Sequence, residues 1–135
     1  SPKKLSAADY TGKRILLVED NELNREIAVE IIGSTGVSID TAVNGLEAVN
    51  IVSRSAEGYY QMILMDIQMP VMDGYESTRR IRTLSRSDVA DMPIVAMTAN
   101  AFSEDVANAV EAGMNYHLAK PIDIATLMMV LDKYL

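Results

Sequence analysis

The chain alternates between short apolar runs and stretches of helical period, five times over. Unbroken apolar runs fall at 15–18, 62–65 and 94–97 within the segments 14–18, 62–65 and 94–98, a short fifth segment follows at 117–119, and Val37, Ile39, Thr41 and Val43 alternate along 37–43. Each of these predicts a strand. Leu23, Ile27, Val29, Ile31 and Ile32 predict a helix over 23–32, capped by Asn21 with Glu22 behind it and stopped by Gly33. Asn44-Gly45 turns into a second helix running through Ser53. After a loop from Asp66 to Gly74, a third helix is expected over 75–84. The fourth spans 103–112, with Ser103 as its cap, Glu104 and Asp105 in its first turn and Gly113 at its end. The fifth spans 124–135, capped by Asp123.

Short apolar strands separated by helices predict a parallel α/β sheet covered on both faces. Right-handed crossovers make it doubly wound. Periodicity does not choose the strand order. In any such sheet the carboxyl ends of the strands line one crevice, where ligands bind. Here those ends are polar. Glu19 and Asp20 close the first run, Asp66 the third and Thr98 the fourth, while Lys120 follows the fifth and precedes Pro121. Three carboxylates gathered at one point repel each other unless a cation sits among them. The pattern predicts a divalent-metal site with one lysine and one hydroxyl beside it.

Composition narrows the setting. At 135 residues and 49% apolar, the chain suits one domain with a real core. Residues 1–12 are polar and aperiodic, which predicts an N-terminal arm or linker, with the domain over 13–135. Without cysteine, disulfides, zinc–thiolate sites and thiol nucleophiles are excluded. A net charge of −7 disfavours nucleic acid as a partner. No apolar run approaches the roughly 20 residues that span a bilayer, and Ser1-Pro2-Lys3-Lys4 does not open a signal peptide. The absent initiator Met suggests a processed chain or a piece of a longer one.

Taken singly, the site residues read blandly: Glu19-Asp20 as a helix-capping pair, Asp66 as a turn residue, Thr98 as a cap and Lys120 as a surface lysine. Their coincidence at four strand ends carries the argument. Met62, Met65, Met128 and Met129 read as core filler. Arg79, Arg80 and Arg82 read as a solvated helix face, and Asp9 and Asp40 carry no signal. His117, the single histidine, reads as a partly exposed strand residue at a partner face.

Five features in order resemble the response-regulator receiver domains of two-component systems. They are Glu19-Asp20, the run Asp66-Ile67-Gln68-Met69-Pro70-Val71-Met72-Asp73-Gly74, Thr98-Ala99, Lys120-Pro121 and the alternating segments around them. The resemblance covers about 14–135. Val18-Glu19-Asp20-Asn21-Glu22-Leu23-Asn24, Met97-Thr98-Ala99-Asn100-Ala101 and the stretch from Ala112 to Asp123 further resemble receivers attached to hybrid sensor histidine kinases.

That resemblance implies a flavodoxin-like fold of strand order 2-1-3-4-5, which sets Asp20 and Asp66 face to face. It implies that Asp66 accepts a phosphoryl group from phosphohistidine in a phosphorelay. It also implies that Mg²⁺, with Mn²⁺ as a substitute, is held by Asp20, Asp66 and the Gln68 backbone carbonyl, with Glu19 acting directly or through water. Thr98 and Lys120 then hold the phosphoryl oxygens, and Lys120 pairs with Asp66 beforehand. A cis Lys120-Pro121 bond aims the lysine inward. Gln68 and Asn100 modulate acyl-phosphate lifetime, and small Ala99 leaves room for the donor. His117 stands where the family carries an aromatic switch residue, which is the main departure. The output surface is the fourth helix, fifth strand and fifth helix.

The implied partners are a kinase's phosphohistidine domain and a histidine phosphotransfer domain, with no nucleic acid and no membrane contact by this domain. The implied setting is cytoplasmic, beside a parent histidine kinase that is itself open to membrane anchoring. Such a domain also phosphorylates and dephosphorylates itself. Three other readings stand beside this one. The first is a stand-alone single-domain regulator. The second is an aspartyl-nucleophile hydrolase of the haloacid-dehalogenase type, for which Gln68 replaces the required acid two residues after the nucleophile. The third is a receiver-like fold used only for binding.

Overall fold

The computed structural model describes residues 10–99 and 103–135. The expectations for Asp9 and Asn100, and for the Ser103 side chain as a cap, lie outside the described residues. The chain order is β1 (Arg14–Val18), α1 (Glu22–Gly33), β2 (Ser38–Ala42), α2 (Gly45–Arg54), β3 (Met62–Asp66), α3 (Gly74–Arg82), a helical turn at Asp88–Asp91, β4 (Ile94–Thr98), α4 (Ser103–Ala112), β5 (Tyr116–Ala119) and α5 (Ile124–Tyr134). The five strands are all parallel, in the order β2-β1-β3-β4-β5. This is the flavodoxin-like doubly wound sheet.

The unbroken apolar strands exist because both faces are covered. Leu16, Val18, Ile63, Met65, Ile94 and Ala96 pack with Ala48, Val52, Ile81 and Ala109 of α2, α3 and α4. Ile15, Leu17, Met62, Leu64, Val95 and Met97 pack with Ile32 of α1 and Leu127, Val130 and Leu131 of α5. Alternate residues of one strand thus feed two different cores. The expected caps Asn21 and Asp123 hold, and Asn44 and Asp73 cap α2 and α3 in the same way: each side chain accepts from the backbone N–H three residues on. No helix among the described residues is long and apolar enough to cross a membrane.

Several local expectations change. Gly33 is the last residue of α1 rather than its cap; the cap is Ser34, whose N–H donates to the Glu30 carbonyl. On β2, Thr41 and Val43 are exposed and Ala42 is buried, because the strand ends at Ala42 and the Val43 N–H leaves the ladder to bond the Glu47 side chain. Met129 is 54% exposed on the outer side of α5, while Met62, Met65 and Met128 are core. Arg79 and Arg80 pair with Glu76 in solvent as expected. Arg82 instead turns inward and donates to the carbonyls of Gly113 and Val89 and to Asn115 Oδ1. Asp40 takes Arg14 Nη1 at 3.0 Å and the Tyr60 hydroxyl at 2.7 Å, so it is a structural anion. Tyr10, expected in the polar arm, is buried in the α1/α5 core and donates its hydroxyl to Asp132 of α5.

Gly74 positions the site from below. Its N–H bonds Ile67 O at 2.8 Å, closing the 67–73 loop. A Cβ there would overlap the Asp66 carbonyl oxygen and stand 2.9 Å from Ile67 Cα. Only glycine lets α3 start this close to the end of β3. Gly74→Ala is expected to destabilise the domain by about 3 kcal/mol through forced backbone displacement. Urea unfolding measures this, and a loss under about 0.5 kcal/mol, the size of an ordinary surface change, would contradict the packing argument.

Candidate phosphoacceptor and metal site

Register brings the predicted residues together. Val18 pairs with Met65, Asp66 with Met97 and Thr98 with Ala119, so four strands end within about two residues of one another in register. Two backbone bonds extend the ladder past those ends: Ile67 N–H to Met97 O at 3.1 Å and Lys120 N–H to Thr98 O at 2.8 Å. The strand-end side chains therefore project from a fixed rim.

Glu19, Asp20 and Asp66 present ligand oxygens within 4.8 Å of one another. Glu19 is 3% exposed and Asp66 4%, whereas Asp20 faces solvent. Lys120 Nζ stands 2.8 Å from Glu19 Oε1 and 3.2 Å from Asp66 Oδ2. Asn21 N–H reaches Glu19 Oε2 at 3.2 Å, and Arg25 Nη1 reaches the Glu19 carbonyl at 3.0 Å. Burial pushes the Asp66 pKa up to about 7, the adjacent Glu19 charge adds to the rise, and Lys120 opposes it. For Lys120, burial pulls downward, but its bonds to Glu19 and the charge of Asp66 win and raise it. One ammonium does not neutralise three carboxylates. The donor set is all hard oxygen with one open side at Asp20, which fits a small divalent cation.

The remaining predicted residues fall around this group. Thr98 is buried at the end of β4, and Ala99 is exposed just beyond it. Gln68 is exposed in the 67–73 loop, where the carbonyls of Ile67 and Pro70 accept from Gly74 and Met72 while that of Gln68 accepts from no backbone N–H among the described residues. Lys120-Pro121 is cis, as expected. His117 is half-buried on β5, its ring stacked on Tyr116 at 5.9 Å between centroids. In the same loop as Gln68, Val71 adopts φ +70°, a left-handed conformation costly for a β-branched residue. Sequence reasoning missed Arg25 as a neighbour of the acidic pair. The available signal was a basic residue in the first turn of a helix, where the macrodipole disfavours it.

The chain belongs to the response regulator receiver domain family, whose profile matches residues 15–132. It is 39% identical over 142 residues to hybrid signal transduction histidine kinase B of Dictyostelium discoideum, covering 97% of this chain but 7% of that protein. The solved receiver domain of sensor histidine kinase PA1611 from Pseudomonas aeruginosa, with magnesium coordinated in its active-site cleft, superposes with a TM-score of 0.80. Identity is 39%, over 90% of this chain and 96% of that one. A chain of the Saccharomyces cerevisiae co-crystal of histidine phosphotransfer protein Ypd1 with the receiver domain of Ssk1 gives a TM-score of 0.81 at 33% identity, over 90% and 88%. The chain is thus a phosphorelay receiver domain like those of hybrid histidine kinases, and spans a small part of such a relative's length.

A raised Asp66 pKa has a stability consequence in metal-free protein. Below the unfolded value of 3.8 the carboxyl is neutral in both states and its favourable burial is fully present. As pH rises through the higher folded value, the native state gives up that proton and the contribution is lost. Wild type is therefore expected to lose stability relative to Asp66→Asn in EDTA as pH rises from 3.8 through about 7. Chemical denaturation at several pH values reads the difference, and a pH-independent gap would contradict the assignment.

Proposed function

We propose that this domain accepts a phosphoryl group from phosphohistidine on Asp66, using Mg²⁺ held by Asp20, Asp66 and the Gln68 carbonyl with Glu19 beside them. The observation that carries this is the meeting of three carboxylates with Lys120 at one rim. An Asp66 carboxylate oxygen attacks phosphorus, the P–N bond to imidazole breaks, and an aspartyl phosphate forms. When bound, Mg²⁺ offsets the charge of the carboxylates and of the phosphoryl oxygens. Mn²⁺, equally hard in its oxygen preference, would substitute.

Lys120 moves from the two carboxylates toward a phosphoryl oxygen, and the Thr98 hydroxyl donates to another. Burial strengthens both interactions by excluding water from them. Exposed Ala99 leaves the approach to Asp66 uncrowded, and Gln68 and Asn100 are the residues that would modulate the lifetime of the acyl phosphate. His117 substitutes an imidazole for the aromatic switch, so Thr98 movement would be read out by a smaller, polar ring.

The donor is the phosphohistidine of a kinase or of a histidine phosphotransfer domain. A histidine phosphotransfer protein with a receiver in the Ypd1–Ssk1 co-crystal supports the latter. The histidine kinase relatives support a parent chain of that kind; in that reading the reaction takes place in the cytoplasm, where a kinase meets ATP. The residues before Tyr10 would be the tether from the upstream part of such a chain, Tyr10 itself belonging to the domain core.

Incubation with acetyl phosphate and Mg²⁺ is expected to add one acid-stable, base-labile phosphoryl group, read by intact mass. Asp66→Asn or excess EDTA should abolish it. Lys120→Ala should slow labelling on the order of 100-fold, as loss of one preorganised charge partner does. Undiminished labelling after the Asp66→Asn substitution would overturn the assignment.

A further inference from the structure

Asp20 is the exposed member of the carboxylate group, and its side chain meets no donor among the described residues. Its direction is set by the backbone, and three hydrogen bonds fix that backbone. Glu19 N–H to Ala42 O, at 3.0 Å, holds the peptide before Glu19. Asn21 N–H to Glu19 Oε2, at 3.2 Å, holds the peptide after Asp20. Arg25 Nη1 to Glu19 O, at 3.0 Å, holds the peptide that joins Glu19 to Asp20. Because a peptide is planar, fixing that oxygen fixes the plane from which Asp20 departs.

These three restraints are not equivalent. The Glu19 carboxylate is already drawn on by Lys120 and belongs to the metal-binding group itself. The Ala42 bond is an extension of the β1–β2 ladder one residue short of Asp20. Arg25 alone reaches the peptide next to Asp20 from outside the carboxylates. Its backbone N–H also bonds Asn21 O at 2.9 Å, so it is anchored to the same turn at both ends. Arg25 forms no ion pair among the described residues. A cation in the first turn of a helix opposes the macrodipole, which makes a plain surface role a poor account of it.

We infer that Arg25 is a positioning residue that aims Asp20 for divalent-cation binding by holding the Glu19 carbonyl. The inference rests on the metal site of the proposed function. Two effects of removing it compete. Loss of a positive charge would favour a cation, and loss of the hydrogen bond would free Asp20. The guanidinium is partly exposed, so its charge is screened. Orientation wins, as for other outer partners of metal ligands.

The test is calorimetric titration of Mg²⁺ into the wild-type chain, Arg25→Met, Arg25→Lys and Arg79→Met. Arg25→Met keeps the stem and removes the donors, whereas Arg79 lies on the exposed face of α3 and controls for net charge. Arg25→Met is expected to bind Mg²⁺ roughly tenfold more weakly, Arg25→Lys within about threefold of wild type, and Arg79→Met like wild type. In metal-free protein, amide exchange at Asn21 should accelerate in Arg25→Met and be restored in Arg25→Lys. Should Arg25→Met fail to fold, Arg25→Leu, which also lacks donors, takes its place with the same expectation. Arg25→Met binding as tightly as wild type or tighter, or Arg25→Lys as weak as Arg25→Met, would overturn the inference. Absence of Mg²⁺ binding by the wild type would instead overturn the metal-site reading beneath it.

Discussion

Repulsion among Glu19, Asp20 and Asp66 is the constraint that the rest of the domain serves. Their ligand oxygens lie within 4.8 Å of one another, and two adjacent parallel strands hold them there. β1 and β3 lie side by side because the chain reverses direction of winding between them. The same register that stacks Val18 on Met65 and Asp66 on Met97 sets the heights of the three acids. Lys120 relieves part of the repulsion from the end of β5, two strands away from β3, because the register brings the ends of these strands close together.

Such a rim is costly, and the cost is met elsewhere in the fold. Both faces of the sheet carry fully buried aliphatic residues, from Ile15 and Leu16 through Ile63, Leu64, Ile94 and Val95. Those cores lie below the strand ends. They tolerate a charged, partly desolvated crevice above them, since burial of apolar area is independent of what the strand termini carry. Arg86 performs a similar service at the opposite end, tying α2 to the loop before β4 through the carbonyls of Val52, Ser55 and Ala56 and through Asp88. The domain is braced at one end and electrostatically poised at the other.

Most of this is legible in the sequence, for identifiable reasons. β1 and β4 can be read to their end residues because an unbroken apolar run ends abruptly in a polar residue. The acids and Lys120 are legible because strand ends in a parallel sheet have a known common location. Edges and long polar side chains are not legible. β2 lies at the sheet edge, where one-sided burial weakens alternation, so Val43 looks like a core position and is not one. Arg82 and Asp40 look like solvent charges because nothing in a linear pattern shows that a guanidinium will reach the Gly113 carbonyl or that Tyr60 will meet Asp40. Tyr10 lies in a polar stretch, and its burial depends on α5, at the far end of the chain. Arg25 is hidden for the same reason: its partner is a backbone carbonyl, which has no sequence signature.

Capture of a cation where the strand-end carboxylates meet can be observed directly, by backbone amide NMR during a Mg²⁺ titration of the metal-free chain. Saturable shifts are expected at Glu19, Asp20, Asp66, Gln68 and Lys120, with the distant Arg14–Asp40 end of the sheet unmoved. Shifts centred anywhere else, or none at millimolar Mg²⁺, would contradict a cation site at this rim.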